Sequence, residues 1–166
     1  MRIRPETPED CSAIESVHIA AFKNDPYSRQ TEHLIVNVLR SEHALDVSLV
    51  AEVGGKVVGH IAFSKIKIDG QDCPWFMLGP VGVLPEHQRQ GIGGELVRQG
   101  LEEIKRLGAE GCVLVGDPAY YTRFGFTEAR GLVFEGVPAK NCLYLPMSQR
   151  IPRGSVSHHP AFSVTG

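Results

Sequence analysis

Paired cysteines, long apolar runs and an excess of basic charge are all missing from this sequence of 166 residues. The four cysteines, Cys11, Cys73, Cys112 and Cys142, are scattered and include no Cys-x-x-Cys pair. That spacing argues against a zinc knuckle and against a disulfide framework. We therefore expect free thiols, most of them buried, and no bound metal.

The charge balance and the apolar runs exclude two further classes of partner. Lys and Arg number 17 against 19 Asp and Glu, for a net charge of −2, so no broad basic surface is available for nucleic acid or an anionic membrane. No apolar run approaches the ~20 residues of a membrane helix, and none follows the basic first residues. These features predict a cytoplasmic protein.

The composition is that of a folded globular chain. Hydrophobic residues make up 42% and charged residues 22%, with 18 Gly and 11 Pro, a mix that is typical of neither disordered nor fibrous proteins. A chain of this length suits one core. We therefore expect a single domain over residues 1–166.

Turn and cap residues divide the first half into two helices and a hairpin sheet. Thr7 and Pro8 begin a predicted helix that extends to about residue 22, and Thr31 opens a second. Gly54-Gly55 and Asp69-Gly70 are hairpin turns. The predicted strands are a short one at 2–4 and three antiparallel ones at 47–53, 56–63 and about 75–84.

An amphipathic helix follows residue 91. At roughly 100° per residue its apolar side chains fall on one side of the helix, and Gly100 within that side allows close approach to a sheet. Residues 111–115 form an apolar run, as expected of a buried parallel strand. A short helix at 117–125 and strands at 132–135 and 143–145 come next. From Ile151 onward the composition alone predicts a mobile tail.

The connection from the third hairpin strand to this helix is rich in glycine. Residues 88–93 are Gln-Arg-Gln-Gly-Ile-Gly, and such a turn presents backbone N–H groups at a positive helix end, where phosphate binds well. The Walker motif is absent, and the dinucleotide fingerprint fails because its third glycine would fall on Leu96. The turn therefore either binds an anion or only shapes a tight connection.

The same residues resemble the Gln/Arg-x-x-Gly-x-Gly/Ala motif of the GNAT superfamily of acyl-CoA-dependent N-acyltransferases. Upstream, residues 81–86 resemble the family's fourth strand and its exit. Downstream, Tyr121 begins a segment similar to the family's Tyr-x-x-x-Gly-Phe. Residues 116–121 and 156–162 are similar to the YhbS-like group of predicted acetyltransferases, which implies that residues 151–166 are a native, docked segment.

The resemblance implies a mixed α/β fold whose central sheet is mostly antiparallel, splayed between strands 4 and 5, and flanked by helices. It implies acetyl-CoA as co-substrate, with pantetheine in the gap and the pyrophosphate on the glycine turn. It also implies direct attack by a primary amine, the Val83 N–H as donor to the oxyanion and Tyr121 as acid for the leaving thiolate. The implied coenzyme contacts are Val81, Gly82, Val83, Gln88, Arg89, Gln90, Gly91, Ile92, Gly93 and Gly94.

Several points stay open at this stage. The general base is unassigned, and the acceptor is either a small amine or a protein lysine. His60 and His87 are interpreted as core or surface histidines. A non-catalytic acyl-CoA-binding or sensory module and a nucleotide-binding protein are alternative functions, and a homodimer is compatible with the sequence. The four conceivable carboxylate bases are Glu32, Glu52, Asp72 and Glu86.

Overall fold

The computed structural model describes residues 1–166 as a sheet of nine strands with helices on both faces. The α-helices are α1 (Cys11–Phe22), α2 (Glu32–Ser41), α3 (Ile92–Arg106) and α4 (Pro118–Tyr121). The strands are β1 (Arg2–Pro5), β2 (Val47–Val53), β3 (Lys56–Ile68), β4 (Gln71–Val83), β5 (Gly111–Val115), β6 (Thr127–Glu128), β7 (Leu132–Val133), β8 (Cys142–Pro146) and β9 (Gly154–Ser157). The predicted mixed α/β fold is confirmed.

The strands of the main sheet lie in the order β1-β2-β3-β4-β5-β8-β6. Neighbours from β1 to β4 are antiparallel, as the hairpin turns predict. The first turn has φ of 57° at Gly54 and 78° at Gly55, values that glycine adopts at no steric cost. β5 joins parallel to β4, and β8 lies antiparallel to both β5 and β6.

The sheet opens between β4 and β5. These strands pair only where Trp75, Phe76 and Met77 face residues 111–113. Beyond Met77, β4 continues beside β3 alone as far as Val83. The predicted splay between the fourth and fifth strands is therefore confirmed, and it lies at the end of β4 that leads into α3.

Helices α1 and α3 pack on opposite faces of this sheet. A Cβ atom on Gly59 of β3 would lie 3.1 Å from Leu96 of α3, and one on Gly82 of β4 would lie 3.0 Å from His18 of α1. Gly82 is paired with His60, the residue after Gly59, and successive residues of a strand point to opposite faces. The predicted first helix begins as a 3-10 turn at Pro8–Asp10 and continues as α1.

Strand β3 is five residues longer than the sequence interpretation proposed. Beyond Phe63, the side chains of Lys65 and Lys67 are exposed while Ile66 and Ile68 are buried. This alternation is that of a strand with one solvated face. The extension carries β3 out to the Asp69 turn.

The mobile tail that composition alone predicts after Ile151 is wrong, and the segment is docked, as the resemblance implied. β9 pairs with the extension of β3, with Val156 opposite Ile68, and with β7. A following 3-10 turn, Pro160–Ser163, buries Ala161 against Ile35 and Leu39 of α2. Composition missed this because a few apolar residues among the Ser, Pro and His are enough to cover the edge of β3 and the face of α2.

Candidate active site

A cavity of about 480 Å³ lies at the start of α3, between the end of β4 and α4. The turn that enters α3 holds Arg89 and Gly91 in the left-handed conformation, at φ 63° and 85°. The first N–H groups of a helix have no acceptor within it, so those of Ile92, Gly93 and Gly94 are free to bind an anion. The lining also includes Val83, His87, Gln88, Arg98, Tyr120 and Arg123.

The side chain of Gln88 hydrogen-bonds the glycine-rich turn to the end of β4. Its Nε2 donates to the carbonyl oxygen of Val83 at 2.9 Å, so this side chain positions the turn. Gln90 is exposed and is not among the residues that line the cavity. Both residues were predicted coenzyme contacts, and the structure places them on the same turn as Gly91 and Gly93.

Positive charge surrounds the cavity. Arg89, Arg98 and Arg123 line it, and all three are exposed. The sequence interpretation singled out only Arg89. Arg98 was missed although it follows Gly91 by two helical turns, which puts both on one side of α3. Arg123 carries no comparable local signal, because the chain returns to the cavity only after β5.

The free edge of β4 faces the opening of the sheet beside this cavity. The N–H of Leu84 donates to the carbonyl oxygen of Val58 at 2.8 Å, and backbone groups of successive strand residues point alternately to the two sides. The N–H groups of Val81 and Val83 therefore point away from β3, into the opening. Gly82, between them, turns its own N–H toward β3.

Tyr121 lies in α4, which follows the carboxyl end of β5 on the other side of the opening. The Asp117 carboxylate caps this helix by accepting from the N–H of Ala119 at 2.9 Å. A Cβ on Gly116 would lie 2.8 Å from the Tyr121 ring, so the glycine makes room for it. Burial raises the pKa of Tyr121 to about 12, so the hydroxyl stays protonated well above neutral pH.

Tyr120 connects Tyr121 to the cavity. The two rings meet edge to face with centroids 4.9 Å apart, and Tyr120 lines the cavity while Arg123 lies over its ring, 4.6 Å from the centroid. The structure thus brings the predicted turn, the predicted strand edge and the predicted tyrosine to one place.

Comparison with known proteins identifies the family to which this fold belongs. Residues 2–129 match the family model described as an acetyltransferase (GNAT) domain. The chain belongs to the GNAT family. It is 35% identical over 127 residues to the N-acetyltransferase YhbS of Escherichia coli K12, covering 76% of this chain and 73% of the relative.

Two solved GNAT structures superpose on nearly the whole chain. A GNAT family acetyltransferase from Brucella melitensis in complex with acetyl-CoA has a TM-score of 0.88 and 46% identity, and the match covers 97% of each chain. YhbS from Escherichia coli in complex with CoA has a TM-score of 0.90 and 29% identity, over 99% of this chain and 93% of that one. The chain is an N-acetyltransferase of this family.

The four carboxylates considered as the GNAT base do not converge on the opening. Glu52 of β2 is paired with Arg4 at 3.0 Å, and Asp72 stands at the far end of β4, with its side chain 92% exposed. Glu32 begins α2 and accepts hydrogen bonds from a serine hydroxyl. Glu86 is exposed in the 3-10 turn before the cavity.

His60 is a core residue, as expected, but it has a partner that sequence reasoning did not find. It is fully buried, and its Nδ1 lies 2.8 Å from Nε2 of His18. The two residues are 42 positions apart in the chain, and no sequence pattern signals their contact. His87 is half-buried and lines the cavity.

The remaining titratable side chains do not form a metal-binding cluster. No three or more His, Cys, Asp or Glu side chains stand together as metal ligands would. All four cysteines are free, with Cys112 and Cys142 buried. None of the helices is both long enough and apolar enough to cross a membrane.

Proposed function

We propose that this protein transfers the acetyl group of acetyl-CoA to a primary amine, which attacks the thioester directly while both substrates are bound. One observation carries the proposal: the anion-binding turn at α3 continues from the free edge of β4, and Tyr121 stands across the same opening. The solved relatives with acetyl-CoA or CoA bound support the choice of coenzyme.

The cavity suits the charged half of the coenzyme. The pyrophosphate would rest on the free N–H groups at the start of α3, where the helix dipole favours negative charge. Arg89, Arg98 and Arg123 would supply the balancing charges. The pantetheine arm would lie along β4 and bond to the backbone of Val81 and Val83, as an added strand does.

In addition to a base, acetyl transfer needs a hydrogen-bond donor for the oxyanion and a proton donor for the leaving sulfur. As the amine nitrogen bonds to the thioester carbon, negative charge develops on the carbonyl oxygen, and the Val83 N–H would donate a hydrogen bond to it. The C–S bond then breaks, and the Tyr121 hydroxyl shares its proton with the departing sulfur in the transition state. An ordinary thiol has a pKa of about 8.5, so the thiolate is itself a competent leaving group and Tyr121 accelerates its departure without being indispensable.

Two measurements in sequence test this proposal. A ligand that binds only the folded state stabilises it by about 2.7 kcal/mol at a hundredfold excess over Kd, so acetyl-CoA should raise the melting temperature while equal concentrations of NAD and ATP should not. Amine-dependent release of the CoA thiol should follow. A shift without release would indicate a binding or sensory module, and equal shifts from all three ligands would indicate a general nucleotide site.

A further inference from the structure

A second cavity, of about 340 Å³, lies outside the groups assigned so far. It is formed where three strands end, because Val115 is the last residue of β5, Phe134 follows β7 and Ser157 is the last residue of β9. Clefts that bind small molecules have volumes of about 300–1,000 Å³, so this one suits a small ligand. The rest of its lining consists of Glu135, Val137, Val156 and His158.

The directions of the strands place this cavity at the same end of the sheet as the opening. β5 runs parallel to β4. β9 is antiparallel to β3, which is itself antiparallel to β4, so β9 also runs in the direction of β4. β7 is parallel to β9. The carboxyl ends of all these strands therefore point to the end of the sheet at which β4 and β5 separate.

The cavity lies on the face of the sheet opposite α3. Phe63 of β3 packs against α3 and pairs with Leu78 of β4, so Leu78 faces α3 as well. Met77, which precedes Leu78, faces the other way and pairs with Val113 of β5. Val115 is two residues further along β5 and shares the face of Val113. The cavity at the start of α3 and this second cavity thus approach the opening from opposite faces.

Val115 connects the second cavity with the opening. On one side it pairs with Cys142 of β8, but the pairing of β5 with β4 ends at Val113, so its other side borders the opening. Its side chain is 49% exposed. The next residue, Gly116, is the one that makes room for the Tyr121 ring. A ligand in this cavity therefore lies beside the part of the opening that Tyr121 borders.

The lining combines apolar walls with one negative charge. Four of its seven residues are apolar, and neither Lys nor Arg is among the other three. Glu135 stands exposed at the tip of a turn. The Val137 N–H closes this turn by donating to the carbonyl oxygen of Phe134 at 3.2 Å, and Gly136 has φ 76°. Opposite the turn, the His158 ring packs on Phe162 with centroids 5.0 Å apart. Such a lining favours a ligand with an apolar body and a positive charge.

Building on the function proposed above, we propose that this cavity binds the acceptor, and that the acceptor is a small primary amine with an apolar body and no carboxylate. The valine and phenylalanine side chains would hold the apolar body. Glu135 attracts an ammonium group and repels an acidic amine, which provides specificity by charge. Because coenzyme and amine approach from opposite faces, both can be bound at once, as direct attack requires.

Binding can be tested without turnover. Phenethylamine is added to the protein saturated with CoA, which carries no acetyl group to transfer. Intermolecular NOEs should connect the phenethylamine ring with the methyl groups of Val115 and Val156. Val133, whose side chain is on the outer side of β7 and 63% exposed, provides the control methyl groups and should show none. NOEs only to other residues, or none at millimolar phenethylamine, would overturn the inference.

The charge of Glu135 is tested with two matched substrates. Phenylalaninamide and phenylalanine have the same body and differ by a neutral amide against a carboxylate. The wild type should have a kcat/KM at least about tenfold higher for the amide. Glu135→Lys should lower this ratio by at least about tenfold, because the variant attracts the carboxylate. A ratio measured within one variant does not depend on how much of the protein is folded.

The matched control is Glu128→Lys. Glu128 is an exposed carboxylate of β6 that does not line the cavity, so the same change of charge should leave the ratio within about twofold of the wild type. Equal changes in the two variants would assign the effect to net charge and would overturn the role of Glu135.

The volume of the cavity is tested with Val115→Phe. The larger side chain would fill space in the cavity and should raise KM for phenylalaninamide by at least about tenfold while the Kd of acetyl-CoA stays within about twofold. Val133→Phe adds the same bulk at an exposed valine outside the cavity and should change neither value. A Val115→Phe variant with the KM of the wild type would show that the amine binds elsewhere.

The outcomes separate this inference from the function on which it rests. If the wild type acetylates peptide lysines or acidic amines but not phenylalaninamide, the inference is overturned and the proposed function stands. The same holds if the wild type is active on phenylalaninamide and Glu135→Lys and Val115→Phe both behave like their controls. If it acetylates no amine at all, the proposed function fails, while the NOEs to Val115 still decide whether this cavity binds a cationic amine.

Discussion

The hydroxyl oxygen of Tyr120 lies 3.4 Å from the point that a Cβ atom on Gly93 would occupy. Cγ2 of Val83 is 3.8 Å from the same point. Both are ordinary van der Waals distances, so the fold itself tolerates a side chain at Gly93. What a side chain would remove is space in the cavity in front of the α3 N–H groups. The glycine is therefore a requirement of ligand binding more than of folding.

Gly93→Val should abolish the rise in melting temperature that acetyl-CoA causes. The branched side chain would stand where the pyrophosphate meets the backbone. Differential scanning fluorimetry with and without acetyl-CoA measures this. The control is Gln99→Val on the exposed side of α3, which adds the same side chain away from the cavity and should keep the shift. A full shift in Gly93→Val would exclude this turn as the pyrophosphate site.

Tyr121→Phe should lower kcat by about 10² to 10⁴ while the Kd of acetyl-CoA changes by less than about tenfold. The variant keeps the ring and its packing against Tyr120 and deletes only the hydroxyl. Steady-state rates and isothermal titration calorimetry provide the two numbers. Wild-type turnover in this variant would mean that another group, or water, assists the leaving sulfur.

Tyr120→Phe is the matched control for that experiment and should lose far less activity, because its hydroxyl borders the cavity without being assigned to the leaving group. The pH dependence adds a second check. An ordinary tyrosine ionises near pH 10, but burial raises the pKa of Tyr121 to about 12. The contribution of its hydroxyl should therefore persist through pH 10, and its disappearance at that pH would contradict the burial argument.

Gly100→Ala should destabilise the protein although alanine favours helix. A Cβ at this position would lie 2.2 Å from Cε1 of Phe63, whose ring is fully buried in the core and has nowhere to move. Overpacking costs about 1–3 kcal/mol, against a gain in helix propensity of ~1 kcal/mol. Urea denaturation should show a net loss of free energy of unfolding. Gln99→Ala, its exposed neighbour, should show none.

Asp10 should make folding stability fall with acid. The Arg4 guanidinium lies 2.7 Å from its carboxylate and lowers the pKa of Asp10 from 3.8 to about 2. A lowered carboxyl pKa stabilises the fold above the unfolded value and loses that effect as pH falls through the folded value. Asp10→Asn should therefore cost about 2 kcal/mol at most at pH 7. Urea curves should show the cost shrinking between pH 4 and pH 2, and a constant difference would contradict the ion pair's role.

Local chemistry accounts for the parts of the fold that the sequence predicted. The hairpin at Gly54-Gly55 needs positive φ, and the apolar side of α3 recurs with the helical period, so both are visible in short windows of residues. The extension of β3 past Phe63 was missed, and composition alone missed the docking of Ala161 on α2. Each depends on a surface supplied by a distant part of the chain, which a short window does not contain.

The same division holds for the site. The turn around Gly91 and the segment that begins at Tyr121 are continuous motifs, and a resemblance between motifs was enough to find them. His18 and His60 meet only because α1 packs on β3 and β4, and Arg123 reaches the cavity only after the chain has passed through β5. Contacts of this kind depend on tertiary packing, and no regular spacing of residues in the sequence indicates them.

The central claim is that this site moves an acetyl group from acetyl-CoA to an amine. Its most direct test is to incubate the purified protein with isotopically labelled acetyl-CoA and a panel of primary amines, and to measure the acetylated product and the free CoA thiol together. The account predicts labelled amine and thiol in equal amounts, formed only when both substrates are present. The full rate requires the Tyr121 hydroxyl as well. Thiol release at the same rate with and without amine, and no labelled amine, would contradict it.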